Sequence, residues 1–202
     1  YGVHFIGAAA TEPEAFVSAV PIRTVEDLKG VKLRAPEGMV YEIFQKAGAS
    51  PVALPGSEIF TALDKGVVEA ADNTVFATNQ ALGMNDIAHY PLYPGFHSLP
   101  LIDISINKGV WDELPDDLKE ILNASVDEFI LQHIYSVRKL DAEAVTKAKE
   151  NPEIEIINWS PEERAKFRRI AQDEWKVWAA KSDMTQKYYD TVVKYLEGRN
   201  LL

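Results

Sequence analysis

Arg34 and Asn73 are the two side chains whose type and placement most readily suggest chemistry. Arg34 closes the stretch Asp27-Leu28-Lys29-Gly30-Val31-Lys32-Leu33-Arg34, and Asn73 closes Leu63-Asp64-Lys65-Gly66-Val67-Val68-Glu69-Ala70-Ala71-Asp72-Asn73. In each, a glycine stops a short helical segment and an apolar strand follows. A side chain able to recognise a carboxylate then stands at the strand's far end. A guanidinium is a planar fork that meets a carboxylate with two parallel hydrogen bonds and stays charged when buried. An asparagine amide adds a donor without adding charge. Open α/β sheets bind ligands beyond the carboxyl ends of their strands, so two such ends side by side would form a cleft for an organic anion. Both residues also have ordinary uses: Arg34 in a salt bridge of an acid-rich chain, Asn73 in a turn or helix cap before Thr74-Val75-Phe76.

The elements that must position them alternate. Strands are expected over 31–35, 50–54 and 67–72. Between them lie helices with apolar positions at Met39, Val40, Ile43 and Phe44, and at Ile59, Phe60 and Leu63, closed by Gly48 and Gly66. Thr24 and Asp27 can box the start of a short helix that Gly30 ends. This βαβαβ order implies an α/β fold with a mostly parallel sheet. A further strand is expected over 101–106. Pro115 then suits the first turn of a helix whose apolar face runs through Leu118, Ile121, Leu122, Val126, Phe129, Ile130, His133, Val137, Leu140, Ala144 and Ala148 until Pro152. At 1.5 Å per residue it would be about 50 Å long, so something must lie beside it: another lobe, a bundle neighbour or an oligomer partner. A strand over 154–157 and the capping box Ser160-Pro161-Glu162-Glu163 lead into two closing helices. Their aromatic residues Phe167, Trp175, Trp178, Tyr188 and Tyr195 have the spacing of core positions.

Composition narrows the partners. The 202 residues are 47% hydrophobic and 26% charged, ordinary globular material, and carry a formal net charge of −10. There is no basic cluster of the kind that phosphate neutralisation requires, which argues against nucleic acid. The chain has no cysteine, which excludes disulfides, thiol nucleophiles and cysteine-ligated metals. No run of about eighteen apolar residues occurs, so no membrane-spanning helix is expected, and with Tyr1 first and no leader pattern the chain reads as a mature or trimmed product. His4, His89 and His133 have no metal-ligand spacing, and no nucleophile elbow or phosphate loop is present. An acidic chain repels an anionic ligand at long range, so affinity would have to come from local, desolvated, charge-assisted contacts.

Leu28-Lys29-Gly30-Val31-Lys32-Leu33-Arg34, Ala62-Leu63-Asp64-Lys65-Gly66-Val67-Val68-Glu69-Ala70-Ala71-Asp72-Asn73 and Trp111-Asp112-Glu113-Leu114-Pro115-Asp116-Asp117-Leu118-Lys119, taken in this order and spacing, resemble the DctP-type substrate-binding proteins of tripartite ATP-independent periplasmic (TRAP) transporters. The resemblance implies a two-lobe, type II periplasmic-binding-protein architecture with mixed, mostly parallel sheets and one long helix spanning both lobes. It covers only the latter two-thirds of the family's length, so the N-terminal part of the first lobe is expected to be absent. On that basis residues 1–98 would be the first segment of the second lobe, 99–138 the remaining part of the first lobe with the start of the spanning helix, and 139–202 the C-terminal segment of the second lobe.

The resemblance also assigns roles. Arg34 would clamp the ligand carboxylate and Asn73 would donate to it. Tyr93, Phe96 and His97, where the chain returns toward the hinge, would line the cleft, with His97 free to bond a hydroxyl or keto oxygen. In keto-acid-binding relatives the position of Asp72 helps hold a metal together with a glutamate after Pro-Gly-Trp-His. Here Pro94-Gly95-Phe96-His97 is followed by Ser98, so no metal is expected, Asp72 stays a ligand-binding candidate, and no cofactor is implied. Sialic-acid-binding relatives carry a second arginine around the place of 11–16, where this chain has none. The function implied is a periplasmic receptor for a small organic acid, leaning to a keto, hydroxy or aromatic monocarboxylate, which passes its ligand to TRAP membrane subunits. A C4-dicarboxylate receptor, an enzyme acting on a carboxylate in the same cleft through Asp72 and His97, and a ligand-sensing module remain as alternatives.

Overall fold

The computed structural model describes residues 1–202. In chain order the strands are β1 (Val3–Ala10), β2 (Ala15–Ser18), β3 (Lys32–Arg34), β4 (Ser50–Val52), β5 (Ala70–Thr74) and β6 (Leu101–Asn107). The helices are α1 (Met39–Lys46), α2 (Ile59–Asp64), α3 (Phe76–Ala81), α4 (Lys108–Glu113), α5 (Asp116–Glu150), α6 (Pro161–Ala179) and α7 (Asp183–Glu197). Two sheets result: an antiparallel pair β1-β6 and a four-stranded sheet in the order β2-β5-β3-β4. β3 is parallel to β4 and β5, as expected for strands joined through helices, and β2 is antiparallel to β5. The fold is therefore the mixed α/β arrangement anticipated above.

Three differences from the sequence reading have local causes. β1 and β2 carry no clear alternation: β1 ends in a run of alanines, and all of Ala15–Ser18 is buried, so a period of two is not visible there. The strand expected over 154–157 is reduced to a single bridge from Ile157 to Leu92. Its partner segment contains Pro91, which has no N–H to continue the ladder. Val3–Ala10, grouped above with residues 1–98, pairs with Leu101–Asn107 rather than with the four-stranded sheet. The chain thus passes between the sheets at 11–14, again at 93–100, and a third time through α5.

The four-stranded sheet has a core on each face. Phe16, Leu33 and Ala70 meet Phe44 of α1, Phe167 of α6 and Trp159 on one side. On the other, Val17 and Ala71 meet Ile59 and Leu63 of α2 and Met84. α6 begins as expected, with Pro161 in its first turn and the Ser160 hydroxyl accepting from the Glu163 N–H. The Glu163 carboxylate does not return the bond; it accepts the Val25 N–H at 2.6 Å and so ties α6 to the loop before β3.

α5 is 35 residues long. β1 lies on its earlier half, so close that a Cβ on Gly7 would stand 2.8 Å from Val126 Cγ1. Its later half meets α3. Much of the apolar face that Leu118, Ile121 and Phe129 begin is exposed, and only Val126, Asp141 and Ala148 of α5 are buried.

Candidate functional site

Strand alternation distributes the candidate residues. Arg34 is in register with Ala71 of β5 and with Val52 of β4. Side chains two apart share a face, so Arg34 lies with Ala71 and Asn73, on the side of the α2 core. Asp72 lies with Ala70, Leu33 and Phe16 on the opposite side.

Arg34 is half-buried and anchored from its own backbone surroundings. Its Nε donates to the Leu54 carbonyl at 3.0 Å and its Nη1 to the Asp72 carbonyl at 2.6 Å. No carboxylate of the protein forms a salt bridge with it. A guanidinium has five N–H groups; two hold it in place, and the rest of the fork has no protein partner. In a chain with 31 acidic residues against 21 basic ones, an arginine held by carbonyls and without a salt-bridged carboxylate keeps charge-assisted donors to spare.

Asn73 is positioned by a residue that the sequence reading did not single out. Its Nδ2 donates to Asn79 Oδ1 at 2.8 Å. Asn79, only 1% exposed, spends its own amide on the carbonyls of Ala15 (3.0 Å) and Thr74 (2.9 Å). One N–H and the oxygen of Asn73 remain without protein partners. Asn73 does not cap α3, whose N-cap is Val75 without a side-chain bond. Instead the carboxylate of Asp141, on α5, accepts the Ala77 N–H at 2.7 Å. Burial pushes the Asp141 carboxyl up, and the charge of Glu12 adds to this against the bond from the Ala77 amide.

On the other face Asp72 and His97 form a buried pair, with His97 Nε2 2.8 Å from Asp72 Oδ1 and side chains 1% and 5% exposed. Glu14 Oε2 lies 3.9 Å from the same nitrogen. Burial pushes the Asp72 carboxyl up, but the His97 hydrogen bond and charge, with the charge of Arg34, outweigh it and hold Asp72 below the usual range. Burial and the neighbouring Asp72 push Glu14 up. The donor atoms of Glu14, Asp72 and His97 all lie within 4.8 Å of one another, a two-carboxylate, one-imidazole set of a kind that can hold a cation. The expectation of no metal rested on Ser98 replacing a glutamate. The fold brings Glu14 to this place from the first crossover, where its N–H donates to the Ser98 carbonyl at 3.1 Å.

Phe96 is part of an aromatic cluster, stacked on Trp159 with ring centroids 4.0 Å apart and edge-on to Phe167 at 5.0 Å. His97 is enclosed by Phe16, Phe44 and Phe96 and presents almost no surface. Tyr93 stands apart from both, edge-on to Phe76 at 5.3 Å. Its hydroxyl is raised by burial and by the charges of Asp141 and Glu12. The six candidates therefore form three groups: Arg34 with Asn73, Asp72 with His97 and Phe96, and Tyr93 beside α3. Hollows of about 580 Å³ between α3 and α5 and about 290 Å³ between α6 and α7 are lined by none of them.

Comparisons with known proteins agree with this architecture. The model of the bacterial extracellular solute-binding proteins, family 7 (DctP), matches residues 2–182. A TRAP periplasmic solute binding protein from Rhodobacter sphaeroides, solved in an apo open form, is 52% identical with a TM-score of 0.81; the match covers 100% of this chain and 64% of that one. The monocarboxylate 2-oxoacid-binding periplasmic protein of Nostoc sp. is 29% identical over 170 residues, 84% of this chain and 46% of that protein. The ectoine/5-hydroxyectoine-binding periplasmic protein of Ruegeria pomeroyi is 24% identical over 161 residues, 79% and 47% of the two chains. The chain spans about half the length of the curated relatives it matches. It belongs to the DctP family of bacterial extracellular solute-binding proteins.

Proposed function

We propose that this chain carries the carboxylate clamp of a periplasmic solute receptor, not an enzyme, and that its ligand is a small organic acid gripped by Arg34 with help from Asn73. The observation that carries the reading is the Arg34 fork: held by two main-chain carbonyls, half-buried, and without any carboxylate of its own. Asp72 and His97 face the other way and serve as the support behind it, since the carbonyl of Asp72 fixes Arg34 while its carboxylate is held by His97. Phe96, stacked on Trp159 on the Asp72 side of the sheet, belongs to the same support, and Tyr93 on the returning crossover is the remaining candidate wall. The 2-oxoacid-binding relative from Nostoc sp. supports a small monocarboxylate, as does the lack of an arginine over 11–16. Two lobes would close on the acid because contacts from both exist together only in the closed state. The closed form would then dock on the membrane subunits of a TRAP transporter.

The test is a thermal-shift screen against mono-, di-, keto-, hydroxy- and aromatic acids, with neutral amides as controls, run with and without added divalent cations. A ligand at a hundred times its dissociation constant adds about 2.7 kcal/mol to stability, and the shift should require a free carboxylate. Arg34→Ala should weaken binding by at least about 1.5–3 kcal/mol, the value of a hydrogen bond to a charged group. An Arg34→Ala variant that binds the same acid as tightly as the parent would remove Arg34 from the site.

A further inference from the structure

We propose that Arg164, a residue outside the ligand site, is the positioning residue of the crossover at 93–98, and that it sets where Phe96 and His97 stand behind the clamp. The crossover cannot hold its own shape. Residues 95–98 donate no backbone–backbone hydrogen bond, and Pro94 has no N–H to give. The carbonyls of Pro94 and Gly95 are taken up instead by one side chain. Arg164 Nη2 donates to the Pro94 carbonyl at 2.7 Å and Nη1 to the Gly95 carbonyl at 2.8 Å, so the fork straddles two successive peptides. The same guanidinium reaches back to its own segment, with Nε on the Trp159 carbonyl at 3.1 Å and Nη2 on Asn158 Oδ1 at 3.0 Å. No carboxylate pairs with it. Its donors are committed to geometry rather than to charge neutralisation.

The position it imposes is transmitted with little slack. A Cβ on Gly95 would lie 2.1 Å from the Glu14 carbonyl oxygen and 2.9 Å from its carbon, so the two crossovers are in direct backbone contact. They are joined again by the Glu14 N–H donating to the Ser98 carbonyl at 3.1 Å. Next to Gly95, Phe96 stacks on Trp159, whose Nε1 is fixed to the Ile22 carbonyl at 2.9 Å. His97 then reaches Asp72, whose carbonyl holds Arg34. A displacement at Pro94 and Gly95 therefore passes to both crossovers and to the residue that orients the arginine. Lysine cannot replace this arrangement, because a single nitrogen does not reproduce a planar fork on separated acceptors.

The link to affinity rests on the proposed acid-binding function, so the experiment has two arms on the same full chain, with Arg164→Met and Arg164→Lys. In the first arm, hydrogen exchange is followed by mass spectrometry without ligand. Peptides reporting the Glu14 and Tyr93 amides, which donate to the Ser98 and Ile157 carbonyls at the two ends of the crossover, should exchange at least about tenfold faster in both variants, while those covering β3 and β5 keep the parental rate relative to global unfolding. In the second arm, pyruvate is the probe, and both variants should bind it at least about tenfold more weakly at a temperature where they are folded. A residue that only adds stability would lower the unfolding midpoint, speed exchange everywhere in step and leave the pyruvate constant unchanged. That pattern, or parental exchange of the Glu14 and Tyr93 amides, overturns the proposal. If Arg164→Met does not fold, Arg164→Lys decides. If the parent protein binds neither pyruvate nor any acid of the screen, the acid-binding reading fails on its own, and the exchange arm still decides the role of Arg164.

Discussion

The two sheets contain similar apolar material in unlike settings. The four-stranded sheet is covered on both faces, and Phe16, Phe44, Leu33, Ile59 and Ala71 lose nearly all contact with water. The β1-β6 pair has α5 against it, yet Phe5, Leu101 and, on the helix, Ile121 and Leu131 are exposed. An isolated pair of strands is marginal, whereas a sheet with a packed face is not. The body that holds Arg34 and Asn73 is thus complete as a packed unit, and the other depends on α5 for what burial it has. Arg34 and Asn73 sit in the first body, while much of the apolar surface of the second is uncovered.

The largest expected effect sharpens this contrast. Phe44→Ala removes a ring packed 5.4 Å from Phe16 and 5.5 Å from Phe167, and should cost about 3–5 kcal/mol in denaturant unfolding. Ile121→Ser, on the exposed stretch of α5, should stay within about 0.5 kcal/mol. Equal costs would mean that the uncovered face is buried in solution. A middle-sized effect probes the contact between β1 and α5. In Gly7→Ala the new methyl meets Val126 Cγ1 at 2.8 Å and Ile130 Cδ1 at 2.9 Å. It should cost about 1–3 kcal/mol, partly recovered by adding Ile130→Val. No cost would show that β1 is not pressed on the helix.

The smallest effect concerns Asp141, which joins α5 to the site-bearing body. Burial holds its folded pKa above the unfolded value, so the folded state binds the proton more tightly than the unfolded chain does. Its contribution to stability is therefore most favourable below the unfolded pKa and is lost as pH rises through the folded one. Asp141→Asn keeps an oxygen for the Ala77 N–H and removes the buried charge, so its unfolding midpoint should exceed that of the parent at pH 7 and converge with it in acid. A midpoint lower at pH 7 than in acid, relative to the parent, would reverse the sign of this coupling.

Much of this was legible along the chain because its causes are local. Gly30, Gly48 and Gly66 stop segments, Pro115 and Ser160-Pro161 open helices, and the apolar period marks α1, α2 and α5. These signals act over a turn or a few residues, and they sufficed to put Arg34 and Asn73 at strand ends. The period of two also implies that Asp72 and Asn73 point apart, although which face each takes depends on the register with β3. Less visible were the partners: Asn79 for Asn73, Glu14 and His97 for Asp72, Arg164 for Pro94 and Gly95. Nothing in an isolated asparagine, glutamate or arginine distinguishes such a role.

By itself, the sequence determined the strand–helix order from β3 to β5, the length of α5, the acidic balance and the presence of one arginine and one asparagine at the ends of parallel strands. These follow from backbone sterics, capping and hydrophobic period, which act between near neighbours. Only the tertiary structure decided that Arg34 is held by carbonyls and left without a counter-ion, that Asp72 turns to His97 and Glu14, and that β1 pairs with β6. Those outcomes depend on strand register and on segments far apart in the chain meeting in one place, where burial sets which polar groups must be paired and which remain free.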